Sequence, residues 1–219
     1  MFDRNGMVEQ KIRELILQRQ PTKIIETGTF YGTGSTQIIA SALKELGTPS
    51  KFYSIECNPG FAEGAKTNLR ASGLDSFVEI LVGLSIPLSM LPAPKLMKSW
   101  LASQPETLFD DLQKERECRD YISEVSYQGV DNLMYTAMEH FEFKPDLVLL
   151  DSAGCLGPAE FNYFLKLLQG TCVLILDDAL THVKHYDNCK YMKKRPKIFK
   201  KIFEVEERYG VVAFEVIKK

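Results

Sequence analysis

The sequence predicts an α/β fold built on a doubly wound, mostly parallel sheet. Three observations carry that expectation. Short apolar segments alternate with amphipathic helical segments along most of the chain. The short segments are apolar on both faces, as strands covered on both sides must be. Acidic residues recur where these segments end, at Glu26, Glu56, Asp151, Asp177 and Asp178. In open parallel sheets, ligands bind beyond the carboxyl ends of the strands.

Each element has its own signature. Val8, Ile12, Leu15 and Ile16 share one helical face. Residues 23–26 read as a strand ending in a carboxylate. Residues 34–46 read as a helix with Ile38, Ile39, Ala42, Leu43 and Leu46 inward and Gly47 as its stop. Residues 52–56 form a second strand. Asn58 and Pro59 supply a cap and first turn for a helix reaching about Ser72. A third strand is expected at 77–82. Later, 146–150 is a nearly all-apolar strand, 158–169 a helix, and 172–176 another buried strand. Residues 202–207 and 211–217 flank Arg208-Tyr209-Gly210 as a hairpin at one edge.

Residues 86–128 break this rhythm. They begin with Pro87, Pro92 and Pro94 and far exceed an ordinary connection of about 2–6 residues. The segment is expected to be a helical, lid-like insertion within a single domain spanning 1–219; a decorative surface insert is the plainer alternative. The helix carrying Val130, Leu133, Met134, Ala137, Met138 and Phe141 belongs to the sheet again.

Composition excludes several classes. The chain has 219 residues, 45% hydrophobic, enough for one sizeable core. Its formal net charge of −2 does not call for nucleic acid as a partner. The N-terminus lacks a signal-peptide h-region, and no apolar run approaches the roughly 18 residues of a membrane span. A cytoplasmic chain with no membrane partner is expected. The five cysteines, an odd number without C-x-x-C spacing, read as buried thiols. Homo-oligomerisation stays open.

The most informative segment is Glu26-Thr27-Gly28-Thr29-Phe30-Tyr31-Gly32-Thr33-Gly34-Ser35. Its glycines allow a sharp turn between strand and helix. Their order differs from the dinucleotide fingerprint, and no lysine follows as in a phosphate-binding P-loop. The spacing E-x-G-x-x-x-G-x-G resembles motif I of the class I S-adenosylmethionine (SAM)-dependent methyltransferases. The resemblance covers roughly residues 20–85 and 145–219. It implies a Rossmann-like seven-stranded sheet with a C-terminal antiparallel hairpin and an insertion before the fourth strand. It also implies that Glu26, Thr27, Gly28, Gly32, Gly34 and Ser35 form the cofactor loop. Glu56 would accept the ribose hydroxyls, a role equally suited to NAD. Gly83 and Ser85 would lie near the adenine, and Asp151 would border the cofactor.

Asp151, Asp177 and Asp178 end adjacent strands. Converging carboxylates repel one another, so they favour a bound cation, and oxygen ligands suit Mg²⁺ or another hard divalent ion. This resembles the metal-dependent O-methyltransferases, in which a metal binds two substrate oxygens and lowers the pKa of the attacking hydroxyl. Those enzymes place a general base shortly after the strand-four Asp, where this chain has Ala153 and Gly154. His182 and His185 are the replacement candidates, with Asp151 as a further catalytic candidate.

From Lys184 to Lys201 the chain is strongly basic, with Tyr186, Tyr191 and Phe199 interleaved. A solvated surface is the default reading of such a run; an anionic acceptor is the sharper one. The expected function is therefore O-methylation of a small hydroxylated acceptor, such as a sugar or glycan precursor. An RNA methyltransferase and a SAM-binding fold with lost or altered chemistry are the alternatives.

Overall fold

The computed structural model describes residues 6–105, 114–119, 121 and 129–218. Its centre is a seven-stranded sheet in the order β3-β2-β1-β4-β5-β7-β6. The strands are β1 (Lys23–Thr27), β2 (Lys51–Glu56), β3 (Glu79–Val82), β4 (Leu147–Leu150), β5 (Thr171–Leu176), β6 (Phe199–Val205) and β7 (Val211–Ile217). Strands β1 to β5 are parallel, and β7 joins β5 in antiparallel fashion. This is the Rossmann-like sheet with a terminal hairpin that the sequence predicts.

The strands are apolar on both faces because both are covered. In β4, Val148 and Leu150 face one layer while Leu147 and Leu149 face the other. The first layer contains α5 (Leu133–His140), α6 (Gly157–Leu167) and α7 (Tyr186–Lys193), through residues such as Met134, Met138, Phe164 and Met192. The second contains α1 (Met7–Arg19) and α2 (Ser35–Leu46), through Ile12, Ile16, Ile39 and Leu43. Helix α3 (Pro59–Ala71) closes the β3 edge and starts as its sequence predicts. The Asn58 side chain accepts the Gly60 and Phe61 N–H groups, and Pro59 fills the first turn.

Several elements differ from the sequence expectation. Strand β3 starts at Glu79, because residues 75–77 form a 3₁₀ turn whose Phe77 N–H donates to the Leu74 carbonyl. Helix α6 ends at Leu167. Strand β6 begins at Phe199 and carries a register irregularity between Lys201 and Phe203. Helix α7 occupies part of the basic run and buries Asn188, Cys189 and Met192.

Of the insertion, the described parts are a 3₁₀ turn at Leu88–Met90, helix α4 (Pro94–Ala102), helical residues 114–119 and Tyr121. Residues 106–113, 120 and 122–128 of the expected lid lie outside the described residues. Met97, Leu101 and Tyr121 pack against Cys155, Leu156 and Val183 in a small separate cluster. The insertion is thus anchored beside the ends of β4 and β5. No helix among the described residues is long and apolar enough to cross a membrane.

The chain reverses direction across the sheet between β1 and β4, and the backbones approach closely there. Gly28 has φ +84°, and its N–H donates to the Ile55 carbonyl at 2.9 Å. A Cβ at this position would collide with the Asp151 carbonyl. Gly47, which ends α2, also has positive φ, but a Cβ there would meet open space. In urea denaturation, Gly47→Ala should cost about 1 kcal/mol, the left-handed penalty alone. Gly28→Ala should cost at least about 3 kcal/mol, because strain and overpacking add. Equal losses would disprove the close approach of the two strand ends.

Candidate active site

Backbone hydrogen bonds continue the ladder just beyond the strand ends. The Asp151 N–H donates to the Thr27 carbonyl at 3.1 Å, and the Asp177 N–H to the Leu150 carbonyl at 3.3 Å. The Gly83 N–H donates to the Glu56 carbonyl at 2.9 Å. These bonds line up the ends of β3, β2, β1, β4 and β5 along one edge. A cavity of about 660 Å³ opens there, bordered by Gly28, Ser35, Glu56, Gly83, Asp151 and Asp178 among others. Its size suits a nucleoside-sized ligand together with a small second molecule.

The cofactor candidates divide into wall and support. Gly28, Gly34, Ser35, Glu56, Gly83, Ser85 and Asp151 border the cavity. Glu26, Thr27 and Gly32 stand behind it. Glu26 is fully buried and accepts the Thr36 and Ser54 hydroxyls at 2.6 Å each. Burial raises its pKa, opposed by the surrounding hydroxyls. Glu26 therefore braces the loop from below. Gly32 packs against α3, where a Cβ would press on Ala65. Glu56 borders the cavity with its carboxylate already oriented. The Phe30 N–H donates to Oε2 at 2.7 Å and the Asn58 N–H to Oε1 at 2.9 Å. Phe30 adopts a left-handed φ of 51° to make that contact.

Glu160, absent from the sequence candidates, ties this edge together. It projects from the first turn of α6 and is fully buried. The Thr27 hydroxyl donates to its carboxylate at 3.0 Å and the Ser152 hydroxyl at 2.7 Å; the Ser85 hydroxyl donates as well. One carboxylate thus joins the ends of β1, β3 and β4. A glutamate directly before inward-facing Phe161 was the available signal.

The acidic cluster forms as the sequence predicts. Asp151, Asp177 and Asp178 bring oxygens within 4.8 Å of one another. Lys184 reaches into the same point. Its Nζ lies 2.7 Å from Asp151, 2.8 Å from Asp178 and 3.8 Å from Asp177. The Lys184 side chain is only 5% exposed. Burial opposes its charge, but Asp151, Asp178 and Asp177 outweigh burial and raise its pKa well above that of a free lysine. Burial raises Asp151 despite Lys184, and burial together with Asp151 raises Asp177 further. The cluster suits an ammonium with paired carboxylates. It does not fit a divalent ion while Lys184 stays in place, since the ion would sit within a few ångströms of a buried positive charge.

The two candidate histidines separate. His182 borders the cavity, with its ring 5.0 Å from that of Tyr209. Tyr209 and Arg208 reach the cavity because the hairpin turn accepts the Ala179 and Leu180 N–H groups. His185 is wholly enclosed, lies away from the cavity wall, and has Nδ1 2.9 Å from the Asn188 amide. Ala153 and Gly154 stand where a base was expected. A Cβ at Gly154 would lie 2.5 Å from Glu117 Oε2 and 3.0 Å from His182 Cε1. The missing side chain makes room for a glutamate from the insertion and a histidine from beyond β5. His182 Nε2 is 4.0 Å from Glu117 Oε1.

No protein-family profile matches this sequence, and no curated protein matches it. Solved structures do match. A methyltransferase from Geobacter sulfurreducens aligns with a TM-score of 0.60 at 17% identity, covering 100% of this chain and 81% of that one. The O-methyltransferase TomG from Streptomyces achromogenes, involved in tomaymycin synthesis and solved in complex with SAM, gives 0.57 at 18% identity over 99% and 82%. An O-methyltransferase from Bacillus cereus in complex with SAH gives 0.58 at 16% identity over 99% and 83%. The fold is that of the class I SAM-dependent methyltransferases.

Burial lowers the His182 pKa to about 4. The unfolded chain, with an ordinary histidine near 6.5, therefore binds more protons between these values. Stability from neutral His182 is present above about pH 6.5 and is lost as pH falls toward 4. The destabilisation caused by His182→Asn should accordingly shrink between about pH 7.5 and about pH 5 in paired denaturation curves. A cost that grows toward acid would mean that folded His182 is charged.

Proposed function

We propose that this chain is a SAM-dependent methyltransferase that methylates a hydroxyl of a small polar acceptor, such as a sugar or glycan precursor. One observation carries the reading. The glycine loop and the oriented Glu56 carboxylate share a single cavity with a second polar cluster around Lys184 and His182. The first half suits a cofactor with an amino-acid end and a ribose; the second suits a hydroxylated acceptor. The similarity in fold to SAM-bound and SAH-bound methyltransferases supports the same reading.

In this scheme Glu56 accepts the ribose hydroxyls while its own backbone contacts hold it in place. SAM held by these residues would supply an electrophilic methyl group to the part of the cavity lined by Asp151, Asp177 and Asp178. The acceptor oxygen forms a bond to the methyl carbon as the carbon–sulfur bond breaks. The electron pair goes to sulfur, which loses its positive charge. The hydroxyl proton passes to His182 Nδ1, the unprotonated nitrogen, and displaces the Lys184 N–H that it accepts at rest, while Nε2–H faces Glu117, close enough to stabilise the resulting imidazolium. The insertion at about 86–128 acts as a lid that keeps water from the transfer. Arg116 and Arg208, exposed residues that border the cavity, offer added affinity for an anionic group on the acceptor.

Calorimetry should show SAM binding that weakens by about 1–3 kcal/mol in Glu56→Ala, the scale of hydrogen bonds to a charged group. Tight NAD binding without a response to SAM would defeat this reading. The acceptor class is tested by incubating labelled SAM with sugars, nucleotide-sugars, catechols and RNA. Transfer to hydroxylated small molecules is expected, and it should fall at least about a hundredfold in His182→Ala, the low end of general-base effects. Transfer to RNA alone would reverse the acceptor class.

A further inference from the structure

We propose that Lys184 is the built-in cation of this site: its ammonium takes the position at which a divalent ion would bridge Asp151, Asp177, Asp178 and the acceptor, and the site works without a metal. The inference rests on the methyltransferase reading for its chemistry, but its central claim concerns the cluster alone.

Three structural facts carry it. First, Lys184 Nζ lies within ion-pair distance of all three carboxylates that would otherwise share a metal. Second, the side chain is locked in place. It is 5% exposed, and its stem passes directly over Gly157, where a Cβ would come within 2.7 Å of Lys184 Cγ. The Lys184 N–H donates to His182 Nδ1 at 3.2 Å, which fixes the turn that aims the stem. Third, Lys184 is unlike its basic neighbours. Lys193 pairs with Glu204 at the surface, and the Arg195 guanidinium lies 3.8 Å from the Tyr191 ring centroid. Lys184 alone among these three is buried against the cavity wall.

The substitution changes what the site can recognise. An ammonium has three N–H donors and no open coordination positions. With two donors directed at Asp151 and Asp178, one remains for a single acceptor oxygen. A hard divalent ion would instead accept two adjacent oxygens in its coordination sphere. Acceptors with one isolated hydroxyl therefore suit this site as well as vicinal diols do.

The test uses the full chain and Mn²⁺ as probe, followed by its paramagnetic resonance signal and by calorimetry. Wild-type protein should bind Mn²⁺ at least about a hundredfold more weakly than Lys184→Ala, in which three carboxylates are left without their cation. Excess chelator should leave SAM binding by the wild type unchanged. Tight, stoichiometric Mn²⁺ binding by the wild type would overturn the proposal, as would equal affinity in both proteins. Thermal melts identify whether Lys184→Ala folds. If it does not, Lys184→Met and the wild-type titration decide the matter by the same criteria. Loss of SAM binding in every sample would defeat the methyltransferase reading instead, and leave the Mn²⁺ comparison to judge Lys184 separately.

Discussion

Removing carboxylates from water is the constraint around which the carboxyl edge of this sheet is organised. Glu26, Glu56 and Glu160 are buried, and Asp151, Asp177 and Asp178 are partly so. A buried charge without donors costs several kcal/mol, so each draws partners, with Glu26 served at Oε2 and its buried Oε1 left without a partner among the described residues. Glu26 receives two hydroxyls, Glu56 two backbone N–H groups, Glu160 three hydroxyls, and the aspartates one ammonium. These partners come from β1 and the loop after it, from β2, α2 and the cap of α3, and from the loops after β3, β4 and β5. Satisfying the acids therefore fixes the relative positions of segments far apart in the chain.

The topology explains why the demand is concentrated there. The crossovers leave β1 and β4 adjacent while their following loops diverge, which opens a crevice. Gly28 allows the first loop to approach the Asp151 backbone, and this contact narrows the crevice at one point. On the β5 side, the hairpin turn holds the loop after Leu176 through the Ala179 and Leu180 N–H groups. That loop then presents His182 and Lys184 from a fixed base. The terminal hairpin thus shapes the site as well as closing the sheet.

Local pattern made most of this architecture legible. Double-sided apolar strands, the Asn58-Pro59 helix start and the glycine loop all act through near neighbours in sequence. What remained hidden depends on distant partners. Lys184 belongs to a run whose other members face solvent, and only its burial between Asp151 and Asp178 sets it apart. Glu117 gains its meaning from empty space at Gly154, a position that reads in sequence only as a missing base. Helix α7 was masked by its charge, although Asn188, Cys189 and Met192 carry a helical spacing. Strand β3 was overextended because Phe77 and Val78 are apolar for packing rather than for pairing.

The small cluster beneath the insertion has a consequence for how the molecule breathes. Met97, Leu101 and Tyr121 share a core with Cys155, Leu156 and Val183 that is separate from the two main layers. A satellite core of this size opens at a lower free energy than the sheet. Yet Val183 adjoins Lys184, and Cys155 and Leu156 follow Gly154 directly. Exchange of amide protons in α4 would therefore report on how firmly the backbone segments that carry Gly154 and Lys184 are held from the insertion side.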